Sequence, residues 1–356
     1  MCRLEPQHAE LLGAGAEAAE DLLRGVFRLD KALDPLDPNG FMAIVRSLTR
    51  ALRGAARPAE DEALRRAIER LDVDWPNLAP AARDQVVRAA REALRGVEAQ
   101  VLPVVDHVFE VEGERVVGAT RRSAVRRLGL RVSADLSGTD ERIAQFVRES
   151  QGNFVRDEYG RRREAFGQKA KEIVASGVER GLGRDDIVGE LVKTMGAEAF
   201  DRSQDYWEVV SMVFTNRARN ATQLSTFQEA GIETYRFEAV LDEVTSEVCR
   251  FMHGRVFTVS RAMDRFRQVE RARDPERIRD IQPFVQVGAD DEGNEVLFYE
   301  RGGRRRAVAE VDEPAVGESD AIGRYSNTLN NQQLEAAGVT VPPLHGRCRS
   351  TIVAEV

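Results

Sequence analysis

FQEAGIETYRFEAVLD, residues 227–242, changes its period in the middle. The stretch leading into it, DRSQDYWEVVSMVFTNRARNATQLSTFQEAG at 201–231, reads as one helix closed by Gly231 at the C′ position. Beyond Gly231 the apolar residues are Ile232, Tyr235, Phe237 and Val240, with Arg, Glu and Thr between them. That pattern is a half-buried strand. The chain therefore passes from helix to sheet at Gly231, and its organisation can be read outward from that point.

Downstream, GRVFTVS (254–260) is a second short strand candidate. FVQVGADDEGNEVLFYERGGRRRAVAEV (284–311) reads as two or three strands joined by DDEGN and RGG turns, and TIVAEV (351–356) as a last strand. Upstream, the chain is rich in Ala, Arg, Glu and Leu, which favour helix. SGTDERIAQFVRESQGNFVRDEYGRRREAFGQKAKEIVASGVERG (137–181) opens on a Ser/Thr-Asp-Glu cap, with Ile143, Phe146 and Val147 starting an apolar stripe. Gly183 and Asp185–Asp186 mark the next helix start. Earlier still, Pro58 and Pro80 are expected to begin helices, the second with a stripe of Val86, Ala90 and Leu94 and an end at Gly96. Residues 1–57 read as two or three short helices split by LDPLDPNG (33–40). VVDHVFEVEGERVV (104–117) alternates around Gly113, the pattern of a short hairpin.

The expected fold class is α+β. A helical region at 1–135 and a helical central region at 136–231 precede a small mixed domain at 232–356, with an insert at about 258–340. A length of 356 residues exceeds what one core usually holds, in keeping with several domains. The net charge of −8 argues against a simple nucleic-acid binder. The arginines at 121, 122, 126, 127 and 131 form either a solvated face or a local phosphate-contacting patch. Three cysteines make no disulfide framework. Neither a basic-then-apolar leader nor an apolar run of about 20 residues is found, so no membrane association is expected.

The chemistry-bearing residues are unevenly spread. Of four His and three Cys, four fall after residue 248 in two tight pairs: Cys249 with His253, and His345 with Cys348. Cys-x3-His and His-x2-Cys are the two halves of a tetrahedral Cys2His2 site, whose thiolate and imidazole donors suit zinc. A plain structural cluster without metal stands as the alternative, with Cys249 as a small buried hydrophobe and His253 capping a turn before Gly254. A Cys-His nucleophile is the third reading, but no orienting third residue accompanies it. In LDEVTSEVC (241–249), Asp242 or Thr245, with Ser246 beside them, is expected to cap a short helix presenting Cys249 and His253. Arg349 is placed to reach back to Asp242 as a bidentate pair. Pro342 and Pro343 are expected to hold the approach to His345 extended.

The run VFTNRARNATQLSTFQEAGIETYRFEAVLDEVTSEVCRFMHGRVFTV, joined later in the chain by VPPLHGRCRSTIVAEV, resembles the phage Mu F-like family of head morphogenesis, or minor capsid, proteins. Phe227, Gly231, Asp242, Thr245, Ser246, Cys249, His253, Gly254, Phe257, Pro342, Pro343, His345, Cys348, Arg349 and Ser350 carry the likeness, which covers roughly residues 165–356. His253 stands where many members have a second Cys, and Gly346 where many have Pro. The resemblance implies a structural protein rather than an enzyme. It would be built into the phage head during prohead assembly, starting from the host bacterial cytoplasm. It would associate with the portal and other capsid proteins, with weak or indirect DNA contact, and carry a structural Zn2+ at most. The competing class is a zinc-dependent enzyme or toxin fusion using the same Cys/His cluster.

Overall fold

The computed structural model describes residues 34–200, 203–272 and 274–355. Helices expected within residues 1–33 lie outside them. The described chain opens with α1 (Pro38–Leu71), a 3-10 turn (Trp75–Asn77), α2 (Pro80–Ala93), α3 (Arg95–Leu128), α4 (Gly138–Glu179), α5 (Arg184–Phe200) and α6 (Ser203–Glu229). Next come β1 (Thr234–Glu238), α7 (Glu247–Met252), β2 (Val256–Thr258), α8 (Val259–Glu270) and α9 (Pro275–Ile281). β3 (Val285–Ala289), β4 (Glu295–Arg301), β5 (Arg304–Glu313), β6 (Arg324–Ser326), α10 (Asn331–Ala337) and β7 (Thr351–Glu355) complete it. The class is α+β, with the helices first and the sheets in the C-terminal third.

The turn at Gly231 forms as its sequence implies. Gly231 adopts φ 73°, its N–H donates to Gln228, and Ile232 N–H donates to Phe227 O at 2.9 Å. This is the double hydrogen bond of a Schellman closure. β1 then buries Tyr235 and Phe237 and turns the residues between them outward.

Several expectations fail for identifiable reasons. Residues 104–117 form no hairpin; they lie inside α3. Val101, Val105, Val108, Phe109, Val116 and Val117 are all buried, a helical repeat that outlasts the local alternation. Gly113 makes no turn. A Cβ added there would make only ordinary contact, 3.5 Å from both the Ala144 carbonyl oxygen and the Phe214 ring, so the packing does not require glycine. Pro58 does not start a helix but sits inside α1, and the break near Gly96 falls at Leu94 instead. In α2 it is Val87 and Ala90 that are buried, and Val86 is only half-buried.

The chain divides into two units that interleave in sequence rather than succeed one another. One comprises residues 48–108 and 152–208; the other comprises 34–47, 109–151 and 209–355. The second unit combines helical and sheet segments because α3, α4 and α6 residues share its core. Phe109 stacks on Phe214 at 4.8 Å, and Phe146 meets Phe266 edge-on.

The first unit buries a polar network as well as its apolar core. Tyr159 Oη donates to Glu60 at 2.5 Å, and Arg162 lies over the Tyr206 ring. Burial raises the Glu60 carboxyl above its ordinary value despite that hydrogen bond. A carboxyl raised on folding gives full stability below its unfolded value of 4.5 and loses it as pH rises through the folded value. Glu60→Gln keeps an acceptor for Tyr159 and carries no charge. Its melting temperature is expected to decline less than that of the unsubstituted protein as pH rises above 4.5. Parallel declines in thermal scans would refute the assignment.

In the second unit, β1 is the centre of a three-stranded antiparallel sheet ordered β2-β1-β7, with Tyr235 opposite Phe257 and Phe237 opposite Ile352. The insert expected as two or three strands is larger. Its strands form a second antiparallel sheet, β3-β4-β5-β6, accompanied by α8, α9 and α10. The arginine run at 121–131 is in part structural. Arg121, 1 % exposed, bonds Asp140 at 2.7 Å and Glu229 at 2.5 Å, and Arg127 pairs with Asp34.

Candidate metal centre

The site is assembled from two loops and one helix face. In the first loop, Thr245 Oγ1 accepts from Asp242 N–H at 2.9 Å, and Asp242 Oδ1 accepts from Val244 N–H. These bonds fold the chain after β1 into a tight turn. Ser246, not Asp242 or Thr245, then caps α7: its Oγ accepts from Cys249 N–H at 3.3 Å. Asp242 and Thr245 are spent on the turn itself, which leaves the capping position to the next hydroxyl. α7 is buried on every side, so Cys249 projects into the core.

The second loop runs from Pro342 to Ser350. The Pro342–Pro343 peptide is cis, and the chain bends at Val341–Pro342 and again at Leu344–His345, so the approach to His345 is not the extended one expected. Leu344 O accepts from Val285 N–H at 2.8 Å, and Cys348 N–H bonds His345 O at 3.3 Å. At Gly346 an added Cβ would come within 2.9 Å of a Val209 methyl, so a side chain here would force the Val209 side chain to move.

The helix face is the part that sequence reasoning missed. Asn216, Arg219, Asn220 and Gln223 lie at i, i+3, i+4 and i+7 of α6, one stripe of a helix that is buried all round. Asn216 Nδ2 donates to Cys348 O (2.6 Å) and Ser350 O (3.2 Å). Arg219 donates to Arg349 O (3.1 Å), Ser350 O (2.7 Å) and Pro35 O (3.2 Å), with its guanidinium over Phe41. Gln223 donates to Thr351 Oγ1 at 2.9 Å. The available signal was polar residues at helical spacing in a segment with too little charge to be a solvated face.

These supports bring together three of the four residues expected as ligands. Cys249, His345 and Cys348 hold their donor atoms within 4.8 Å of one another. Cys249 Sγ stands 3.1 Å from His345 Nε2 and 3.7 Å from Cys348 Sγ, and both thiols are free. His253 is not part of the group. It ends α7, and its Nδ1 accepts from Ala239 N–H at 3.1 Å. The i, i+4 spacing fails because His253 has left the helix by its C-cap, so the two side chains no longer share a face. Gly254, at φ 77°, donates to Phe237 O and leads into β2.

The electrostatics distinguish the two thiols. Burial opposes ionisation of Cys348. Hydrogen bonds from Cys249 and His345, together with the His345 charge, outweigh it, and the thiol lies well below its ordinary value. Cys249, donating to Cys348 and itself buried, lies well above. Of the two thiols, the surroundings favour ionisation of Cys348 over Cys249. Burial also pulls the Arg219 guanidinium down to about 9, while the Cys348 charge works the other way.

The two sulfurs stand at the spacing of neighbouring ligands on a tetrahedral ion, while Cys249 Sγ and His345 Nε2, at 3.1 Å, would move apart by a few tenths of an ångström to share one. With Zn–S bonds of about 2.3 Å, two sulfurs on a tetrahedron stand about 3.8 Å apart. The observed 3.7 Å is close to that edge and far from the roughly 2.05 Å of a disulfide. The cluster can therefore bind a metal ion through Cys249, His345 and Cys348.

Arg349 and Asp242 form the bidentate pair expected, at 2.7 and 2.5 Å, and it ties the two loops together beside the cluster. Arg349 hydrogen bonds hold the Asp242 carboxyl down at about 2, against burial. A depressed carboxyl gives stability that is complete above its unfolded value of 3.8 and lost as pH falls towards 2. Arg349→Lys keeps the charge and loses the fork. It is expected to cost about 1 kcal/mol near neutrality and to flatten the acid limb of a denaturation titration below pH 4. An unchanged acid limb would exclude the pair as its source.

No family model matches the chain, and neither does any curated protein or any solved structure.

Proposed function

We propose that the chain is a phage minor head protein. It acts in head morphogenesis through association with the portal and other prohead proteins, and its C-terminal domain is held by a structural zinc ion. The observation that carries this reading is the meeting of two motif halves about a hundred residues apart. Cys249, with Asp242 ahead of it, converges on His345, Cys348 and Arg349 in one part-buried cluster. The residues that carry the resemblance to Mu F-like proteins are thus largely those that build one local structure. His253, the departure from the family pattern, is also the residue left out of it.

Zinc is the ion of this reading because two thiolates and an imidazole are its preferred donors. Water or the Ser246 hydroxyl, 2.9 Å from His345 Nε2, takes the remaining corner. A zinc enzyme would also leave a corner open. Here, however, Cys249 is 3 % and Cys348 0 % exposed, which favours a staple over a reaction centre.

The test is to read the neighbouring genes and to co-express the chain with a portal protein encoded among them. A stable complex surviving gel filtration, together with recovery of the chain in purified virions, is expected. Absence from virions and no portal, terminase or major capsid genes nearby would end the reading.

A further inference from the structure

The insert sheet is polarised in charge from one end to the other. β5 begins with Arg304, Arg305 and Arg306, all exposed, and ends with Asp312 and Glu313, also exposed. Antiparallel pairing sets the rest of the sheet in the same sense. The β4–β5 turn, with Arg301 opposite Arg304, lies at the basic end. The β3–β4 turn carries Asp291 and Glu292 to the acidic end, because Val296 pairs with Glu310. β5 spans ten residues, or about 33 Å, which is roughly three Debye lengths at 0.1 M salt. The two ends therefore do not neutralise each other across the sheet.

The acidic end also displays apolar side chains on a loop that is rigidly held. Residues 314–323 are clamped by two buried charged groups of α7. Glu247 accepts from Ala315 N–H (2.6 Å), Val316 N–H (2.8 Å) and Tyr325 Oη (2.7 Å). Arg250, fully buried, donates to the Glu318 and Ala321 carbonyls. On this frame Val316 is 57 % and Ile322 44 % exposed. The neighbouring Val244 is 77 % exposed, in a segment tied to the loop by Gly317 N–H to Glu243 O at 3.0 Å. Glu313 at this end is paired with Arg324 at 3.1 Å, and Glu318 and Asp320 lie on the same loop as the exposed apolar side chains, so the end combines apolar and acidic groups as interfaces do.

We infer that this end of the insert sheet docks the arginine tip of a second copy of the chain. The contact joins two different surfaces, so it is head-to-tail: each copy keeps one end free, and the association propagates to a ring or a filament. The occupant is identified by charge complementarity, acidic and apolar against basic, with both partners presented by the same strand. Neither the metal ion nor the portal is needed for this contact.

The test is sedimentation velocity on the full chain. At low ionic strength species larger than a monomer are expected, and they should dissociate reversibly in high salt. Neutralising the basic end (Arg304→Ser, Arg305→Ser, Arg306→Ser) or the acidic end (Glu313→Gln, Glu318→Gln, Asp320→Asn) should each leave a monomer. These side chains are exposed, and unchanged thermal melts verify the fold. An equimolar mixture of the two variants should form a dimer and stop, since each supplies the end the other lacks. A monomer at low salt, assembly by either variant alone, or a mixture that remains monomeric overturns the inference. So does loss of duplex DNA binding in the arginine variant with its assembly intact, which would assign the tip to phosphate.

Discussion

If the proposed zinc staple holds, Cys348→Ser is expected to abolish metal binding and to lower the melting temperature by roughly 10–20 °C, while His253→Ala does neither. Loss of a structural zinc site removes folding free energy directly. A cost of about 5 kcal/mol corresponds to a shift of that size for a unit of 150–250 residues. Cys348 is itself fully buried and is the thiol whose ionisation its surroundings favour, and serine cannot take over a thiolate's place on a metal. His253 loses one hydrogen bond from Ala239 N–H, worth about 1 kcal/mol. Metal content by mass spectrometry under native conditions, with thermal melts before and after chelation, reads both effects. If the two variants behave alike, or chelation leaves the melt unchanged, the cluster is not a metal staple.

The second large effect is expected at Arg219. Arg219→Ala strips hydrogen bonds from the Pro35, Arg349 and Ser350 carbonyls inside the protein and removes the cation resting on Phe41. Ser350 O keeps the Asn216 amide; buried acceptors that lose their donor cost about 1–3 kcal/mol each, so the Pro35 and Arg349 carbonyls together put the expected cost at about 2–5 kcal/mol. Arg219 also fixes the backbone on the far side of Cys348 from His345. Partners that orient ligands typically contribute 10–100-fold to metal affinity, and a loss in that range is predicted for the variant. Competition with a chromophoric chelator measures it independently of stability. A destabilised protein of unchanged metal affinity would reduce Arg219 to a packing role.

Much of this architecture is written in local pattern. The helix-to-strand change at Gly231, the β1 alternation and the β3–β5 turns depend on neighbours a few residues apart, and each appears where its pattern stands. Long-range competition is harder to read. The hairpin expected around Gly113 lost to a helix whose repeat becomes visible only over two dozen residues. The site divides the same way. Cys249, His345 and Cys348 stood out by rarity, and the Asp242–Arg349 pair by complementary chemistry. Asn216 and Arg219 did not, because their role is to hold backbone more than a hundred residues away, and no local pattern carries that information. His253 misled for a geometric reason: whether it shares a face with Cys249 depends on a helix that stops one residue earlier.

The 99 residues separating Cys249 from Cys348 also set an order of events during synthesis. A nascent chain emerging from the ribosome displays Cys249 long before its partners exist. Until residues 345–348 emerge, it can offer an ion one thiol from the C-terminal half. Closing a loop of that length costs on the order of 4–5 kcal/mol of chain entropy. Prior folding of the insert, whose strands pair with near neighbours, shortens the span that must be brought together. On the proposed zinc reading, metal uptake is a late step of folding, completed only in chains whose insert and last strand have both found their places.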